Sequence, residues 1–321
     1  MLAGAKEAKN ELLTFIRNGG NTNSKKLLQS PSEIFVGVFL PTLVAHGTIR
    51  IYISRLRYKY AAFVVVVFTV IPCILTFLWS RLEYRAIREG RARRAWLAMN
   101  VMMWFAVFYG LLKGDTLFWR YSRSYYQFDD LASYVNISPS NDRGQSYMDA
   151  GQVYFKEGTR VETSKAMAFQ EDQIYCVAPI VQETMDSKGS QQVGGNVGKG
   201  GLELPKSGTV DFWAVGINCC DPSGLNFKCG DSANVHARAG IRVLRDDTRP
   251  FFLMAVQEWT AWLQMPAKHP LFFHWVQDPL MEVELLWLHA RTNWWLDTLL
   301  AMVICSVGII GLHVIFYNMG F

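Results

Sequence analysis

"YAAFVVVVFTVIPCILTFLWS" (Tyr60–Ser80) runs for 21 residues without one charged side chain. A helix rises about 1.5 Å per residue, so roughly 20 apolar residues cross the ~30 Å hydrocarbon core of a bilayer. A helix this long and this apolar does not suit the core of a small soluble domain. The stretch therefore predicts a transmembrane helix, and the rest of the chain is read outward from it.

Two more runs have the same character. "AWLAMNVMMWFAVFYGLL" (Ala95–Leu112) has Asn100 as its one strongly polar group, and "TLLAMVICSVGIIGLHVIFY" (Thr298–Tyr317) carries His313 near its end. A fourth, "IFVGVFLPTLVAHGTIRIYI" (Ile34–Ile53), contains Pro41, His46 and Arg50. It reads as a short or tilted span, with an interfacial or re-entrant segment as the alternative. Ser30, Pro31 and Glu33 supply its helix-start signals. Trp79, Trp96, Trp119, Trp294, Trp295, Tyr52 and Tyr60 flank the runs, as aromatic residues at headgroup level do.

Charge sets the expected orientation. Residues 81–94 hold six arginines, Arg81, Arg85, Arg88, Arg91, Arg93 and Arg94. Residues 1–33 add Lys6, Lys9, Arg17, Lys25 and Lys26, and no cleavable leader is recognisable there. With four spans these basic residues share one side, against Arg50, Arg55, Arg57 and Lys59 on the other. The positive-inside rule then places residues 1–33 in the cytosol and 114–293 outside or in a lumen. The six arginines become candidates for anionic lipid headgroups. The alternative for Ile34–Ile53 reverses this orientation.

Residues 114–293 read as ordinary globular sequence. Short β-prone runs occur at Gln152–Phe155, Lys165–Phe169, Gln173–Val181, Thr209–Ile217 and Ala239–Leu244, bounded by turn signals. They predict a β-rich domain, either a sandwich or a sheet with helices at its edge. Helices are expected at Pro250–Met265 and Asp278–Arg291, the first of them lying on the sheet or on the membrane surface. The glycine-rich stretch 187–201 reads as a loop.

Four of the six cysteines, Cys176, Cys219, Cys220 and Cys229, lie in this segment. In an oxidising compartment they read as two disulfides. A bond between the neighbours Cys219 and Cys220 would be strained, so Cys176 pairs with one of them and Cys229 with the other. A Cys176–Cys219 bridge would staple two strands. Zinc ligands prefer spacings of two to four residues, which these positions do not offer, and no CxxC is present. Asn136-Ile137-Ser138 is a glycosylation sequon, followed by Pro139.

Signs of catalysis are sparse. No nucleotide-binding, zinc-protease or serine-hydrolase motif occurs. His269, His274 and Asp278 form a weak acid–base candidate, and Asp129-Asp130 and Asp246-Asp247 read as surface turns. Polar groups available to a transport path are His46, Asn100 and His313, with Arg50 and Asp297 at the edges. The net charge of +5 is modest and its basic residues adjoin apolar runs, which argues against nucleic-acid binding. No cofactor and no metal are expected.

The layout resembles that of tetraspanins: four spans, a large second outer loop, and paired cysteines within it. Here Asp221, not glycine, follows Cys219-Cys220, and the loop reads as β rather than helical. The stretches "SYMDAGQVYFKEGTRVETSKAMAF" (Ser146–Phe169), "YCVAPIV" (Tyr175–Val181), "DFWAVGINCC" (Asp211–Cys220) and "FKCG" (Phe227–Gly230) are similar to multi-pass membrane proteins of dinoflagellates and related protists. That resemblance implies a membrane protein and brings no activity with it. The expectation is a non-enzymatic α-helical multi-pass membrane protein. It would present a disulfide-stapled β-rich domain to a protein partner or to a second copy. A channel subunit and a lumenal enzyme are the alternatives.

Overall fold

The computed structural model describes residues 31–89, 94–182 and 205–318. The stretch 187–201, residues 1–30, Arg91 and Arg93 lie outside the described residues. The chain forms two compact units, one of Met1–Tyr126 with Leu286–Phe321 and one of Gln127–Leu285.

Among the described residues, four helices are long and apolar enough to cross a membrane. α1 covers Pro31–Tyr52, and the five-residue α2 covers Arg55–Lys59. α3 runs over Ala61–Arg88 and includes a π turn at Val66–Val70. α4 starts as Arg94–Leu117 and continues through a π turn at Phe118–Ser122 into Arg123–Asp129. The last helix, α6, spans Pro279–Asn318 (α5, Arg249–Leu263, belongs to the sheet unit). α4 and α6 thus outrun the apolar windows 95–112 and 298–317. Hydropathy marks only the stretch able to sit in hydrocarbon. A helix closes its own hydrogen bonds and continues past that stretch wherever no breaker intervenes.

Small residues let α1 and α4 approach. Ala106, Gly110 and Gly114 recur every fourth residue on α4. A Cβ on Gly110 would lie 3.0 Å from Thr48 Cβ, and one on Gly114 only 2.7 Å from Tyr52 Cβ. In a bilayer such contact, rather than hydrophobicity, is what holds helices together. α3 is the outlier. Phe63, Val66, Ile71, Ile74, Leu75, Phe77 and Leu78 on it are all exposed.

The second unit is a mixed eight-stranded sheet. Its strands are β1 (Ala132–Ile137), β2 (Ala150–Phe155), β3 (Thr159–Val161), β4 (Met167–Gln170), β5 (Ile174–Gln182), β6 (Phe212–Ile217), β7 (Ala239–Arg242) and β8 (Leu271–Val276). The order is β1-β2-β7-β8-β6-β5-β3, with β4 also on β5. β1–β2 and β6–β8 are parallel, and the other pairs are antiparallel. β2 and β3 stand second and seventh in this order, yet only residues 156–158 join them. The four residue steps from Phe155 to Thr159 span no more than about 14 Å, so the sheet must curl back towards its own start. The concave face is filled by Phe155, Phe212, Phe273, Trp275, Ile137 and Val153, as side chains fill a small barrel.

α5 covers the convex face. Trp259 meets Trp213 edge-on at 4.8 Å, and Phe252 meets Tyr175 at 5.5 Å. Both faces of β5, β6 and β8 are therefore apolar: Phe212 and Ala214 point one way, Trp213 and Val215 the other. This corrects the sandwich expectation. One curved sheet packs on itself and on a helix laid across its face, and no second sheet is needed to bury either side.

Candidate functional site

Ionisable groups inside apolar helices are costly unless paired, and they are the first place to look for function. Three helices contribute to one such level. Thr298 on α6 donates its hydroxyl to Trp294 O at 2.8 Å. Its lone pair is then free for an Nδ1–H of His46 on α1, at 3.0 Å. Trp294 Nε1 donates to His46 O at 3.2 Å, and the two rings lie 4.6 Å apart. On α4, the Tyr109 hydroxyl donates to Asp297 Oδ1 at 3.1 Å and Lys113 Nζ pairs with the same oxygen at 3.0 Å. Asp297 is only 13% exposed. Arg50, one helical turn beyond His46, lies over the indoles of Trp294 and Trp287.

Nearer the α1–α3 connection, Arg57 pairs with Asp115 at 3.2 Å, donates to Ala61 O at 3.2 Å, and stacks on Tyr52 and Phe118. Tyr52 in turn reaches Thr69 on α3, oxygen to oxygen at 2.5 Å. Asn100 belongs elsewhere. Its Oδ1 accepts from Ser80 on α3 at 2.9 Å, and Trp104 Nε1 donates to the same Ser80 hydroxyl at 2.9 Å. Asn100 and Tyr109 are nine residues apart on α4, about 13 Å along the axis. Of the transport candidates, His46 and Asp297 thus share one level with Arg50 a turn beyond, Asn100 lies at another, and the side chain of His313 is outside the described residues. Chemically these levels are clamps between helices. Lys113 and Tyr109 were missed in the sequence. Their spacing of four puts them on one face of α4, but only the fold shows that Asp297 faces them.

In the sheet unit the cysteines form Cys176–Cys220 and Cys219–Cys229. The strand-to-strand staple goes to Cys220 instead of Cys219. Cys176 and Cys229 are buried in the concave core, with Cys219 and Cys220 half-buried beside them. The sulfurs of Cys176, Cys219 and Cys229 lie within 4.8 Å of one another, but all three are consumed in bridges. The enclosed turn is set by Asp221, which accepts from Gly224 N at 2.8 Å and from Asn226 Nδ2 at 2.6 Å. Cys73 and Cys305 take part in no disulfide.

The acid–base candidate does not assemble. Asp278 Oδ1 accepts from the Leu280 N–H at 3.1 Å, capping α6, and from the Tyr154 hydroxyl at 2.9 Å. Burial, and then this bond, raise the Tyr154 pKa. His274 sits opposite Ile241 and is exposed, although crowding neighbours desolvate it and lower its pKa. His269 contributes only its backbone. Its N–H, with those of Lys268 and Gly144 and the Thr209 hydroxyl, converges on the buried Asp211 carboxylate at 2.9–3.2 Å. Asp211 is a structural anchor that sequence inspection passed over.

Asn136 is exposed on β1 with a φ of 63°. It lines an open depression with Val135, Tyr154, Lys156, Glu157 and Arg238. The Ser138 hydroxyl is buried and donates to Gln182 Oε1 at 2.6 Å. Arg81, Arg85 and Arg88 are exposed at the end of α3, and Arg94 opens α4. Compared with family models, curated proteins and solved structures, this chain matches none.

Proposed function

We propose that this chain is a non-enzymatic integral membrane protein. Four helices cross the bilayer with residues 1–33 in the cytosol. They hold the stapled sheet domain on the exofacial or lumenal side, where it binds a protein partner or a second copy and organises the membrane around it. The observation that carries this reading is the pair of disulfides, Cys176–Cys220 and Cys219–Cys229. Such bonds persist in oxidising compartments and are rare in the cytosol. The exposed apolar flank of α3 suits lipid, and Arg81, Arg85 and Arg88 suit anionic headgroups at the opposite membrane face. An exposed Asn136 suits glycosylation. The local pairing of Asp297, Lys113, Asn100 and Arg57 supports an anchor over a conducting path.

The test is thiol mapping in intact membranes. Sealed vesicles are alkylated with an impermeant reagent, digested without reductant and mapped by mass spectrometry. Both disulfides intact, together with a partner captured by the full chain and lost when the sheet domain is removed, would support the reading. Four free thiols reached from the cytosolic side would sink it.

A further inference from the structure

Arg50 stands in the last turn of α1, and its side chain is exposed. Its guanidinium carbon lies 5.3 Å from the Trp294 ring centre and 5.9 Å from that of Trp287. Among the described residues no carboxylate pairs with it. Asp297, three residues beyond Trp294 on α6, already takes Lys113 at 3.0 Å and Tyr109 at 3.1 Å. Among the described residues Asp297 has its ion pair with Lys113, and Arg50 has no carboxylate counter-ion. At the edge of hydrocarbon its charge is costly without an anion. The indole faces lie against the guanidinium, and among the described residues no hydrogen bond engages its N–H fork.

We infer that Arg50, seated on Trp287 and Trp294, binds the phosphate of a phospholipid headgroup in the leaflet at that end of α1. The planar fork matches two phosphate oxygens at once, which a lysine ammonium cannot do. Phosphate is the abundant anion at that depth, and indoles favour the same headgroup zone. This inference rests on the membrane reading above and adds to it a lipid site on the side opposite Arg81–Arg94.

The test is native mass spectrometry of the delipidated full chain in detergent, titrated with phosphatidylglycerol. A phosphate-free galactolipid and inorganic phosphate are titrated in parallel. The first phosphatidylglycerol adduct should weaken about tenfold or more in Arg50→Gln, the usual scale for losing a charge-assisted contact. Arg50→Lys should fall between, and the galactolipid should not distinguish the variants. Equal phosphatidylglycerol binding by wild type and Arg50→Gln would overturn the site. So would displacement of the lipid by inorganic phosphate at equal concentration. If Arg50→Gln loses the wild-type disulfide map, Arg50→Lys alone decides: binding equal to wild type overturns the bidentate contact. Resistance of the wild type to alkaline extraction from membranes reads the underlying membrane assignment separately. A chain that washes off loses both proposals, and one that stays but shows no Arg50 effect loses only this one.

Discussion

Cys176 on β5 pairs with Gly216 on β6, and the space that Gly216 leaves empty is where the second disulfide sits. A Cβ there would lie 2.4 Å from Cys219 Sγ and 2.8 Å from Cys229 Sγ. Neither sulfur can retreat freely, because Cys229 is buried and Lys228 N holds Cys219 O at 2.8 Å. Gly216→Ala is expected to prevent the Cys219–Cys229 bridge or to force its strand apart. Either result removes roughly 2–4 kcal/mol, the usual worth of a native disulfide. Non-reducing peptide maps and thermal melts check it; a variant with both bridges and an unchanged melt would refute the steric account.

Asp211 predicts a different kind of loss. Its buried carboxylate accepts three backbone N–H groups and one hydroxyl, tying residue 144 and residues 268–269 to the start of β6. Asp211→Ala leaves four donors without their acceptor. Each unsatisfied buried group costs about 1–3 kcal/mol, so a loss of at least ~3 kcal/mol is expected in urea unfolding of the full chain. Asp211→Asn should lose less, since one oxygen still accepts. Equal stability of Asp211→Ala and wild type would show that water replaces the carboxylate.

The four apolar helices were legible because about 20 residues without charge have few other uses. The strands of β5 and β6 were legible for a related reason, as β-branched and aromatic residues crowd them. β8 was not. "LFFHWV" (Leu271–Val276) draws notice through His274, which stands with His269 and Asp278 as an acid–base candidate, while Leu271, Phe273 and Trp275 fill the curl and Phe272 meets α5. β3 was missed because it is three residues long with Arg160 at its centre, and β1 because Ser133 and Asn136 interrupt its apolar residues; only pairing with β5 and β2 makes them strands. The cysteine chemistry could be read, but which of Cys219 and Cys220 meets Cys176 is set by how the chain turns after β6, where the Cys219–Cys229 bridge lies against Gly216. Asp297 was visible as an edge charge, whereas its partners lie on α4, some 180 residues earlier.

The pH response follows from His274. Its folded pKa is lowered from 6.5, first by desolvation and with some relief from the Val215 backbone. Between the lowered value and 6.5 the unfolded chain binds the proton and the folded chain does not. Stability from this group is therefore present above the unfolded pKa and is lost as pH falls below it. The melting temperature of wild type should drop on acidification from about pH 7 to pH 5, and that of His274→Gln should drop less. Parallel curves for the two proteins would assign the acid response to other groups.

The Asp297–Lys113 pair allows the clamp to be separated from mere burial. Lys113 is 43% exposed and Asp297 13%, so removing each partner strands a different charge. Lys113→Met leaves the more buried carboxylate with Tyr109 alone. Asp297→Asn leaves an ammonium that can still turn towards water, and it keeps an acceptor for Tyr109. The first substitution should therefore destabilise the helical unit more than the second. The double variant should recover part of the Lys113→Met loss, because breaking one side of a buried pair costs more than removing both. The coupling is expected at roughly 1–2 kcal/mol, read as melting temperature in detergent for the four proteins of the cycle. Strict additivity would mean that α4 and α6 are held by packing alone, and that this ion pair is a passenger on their contact.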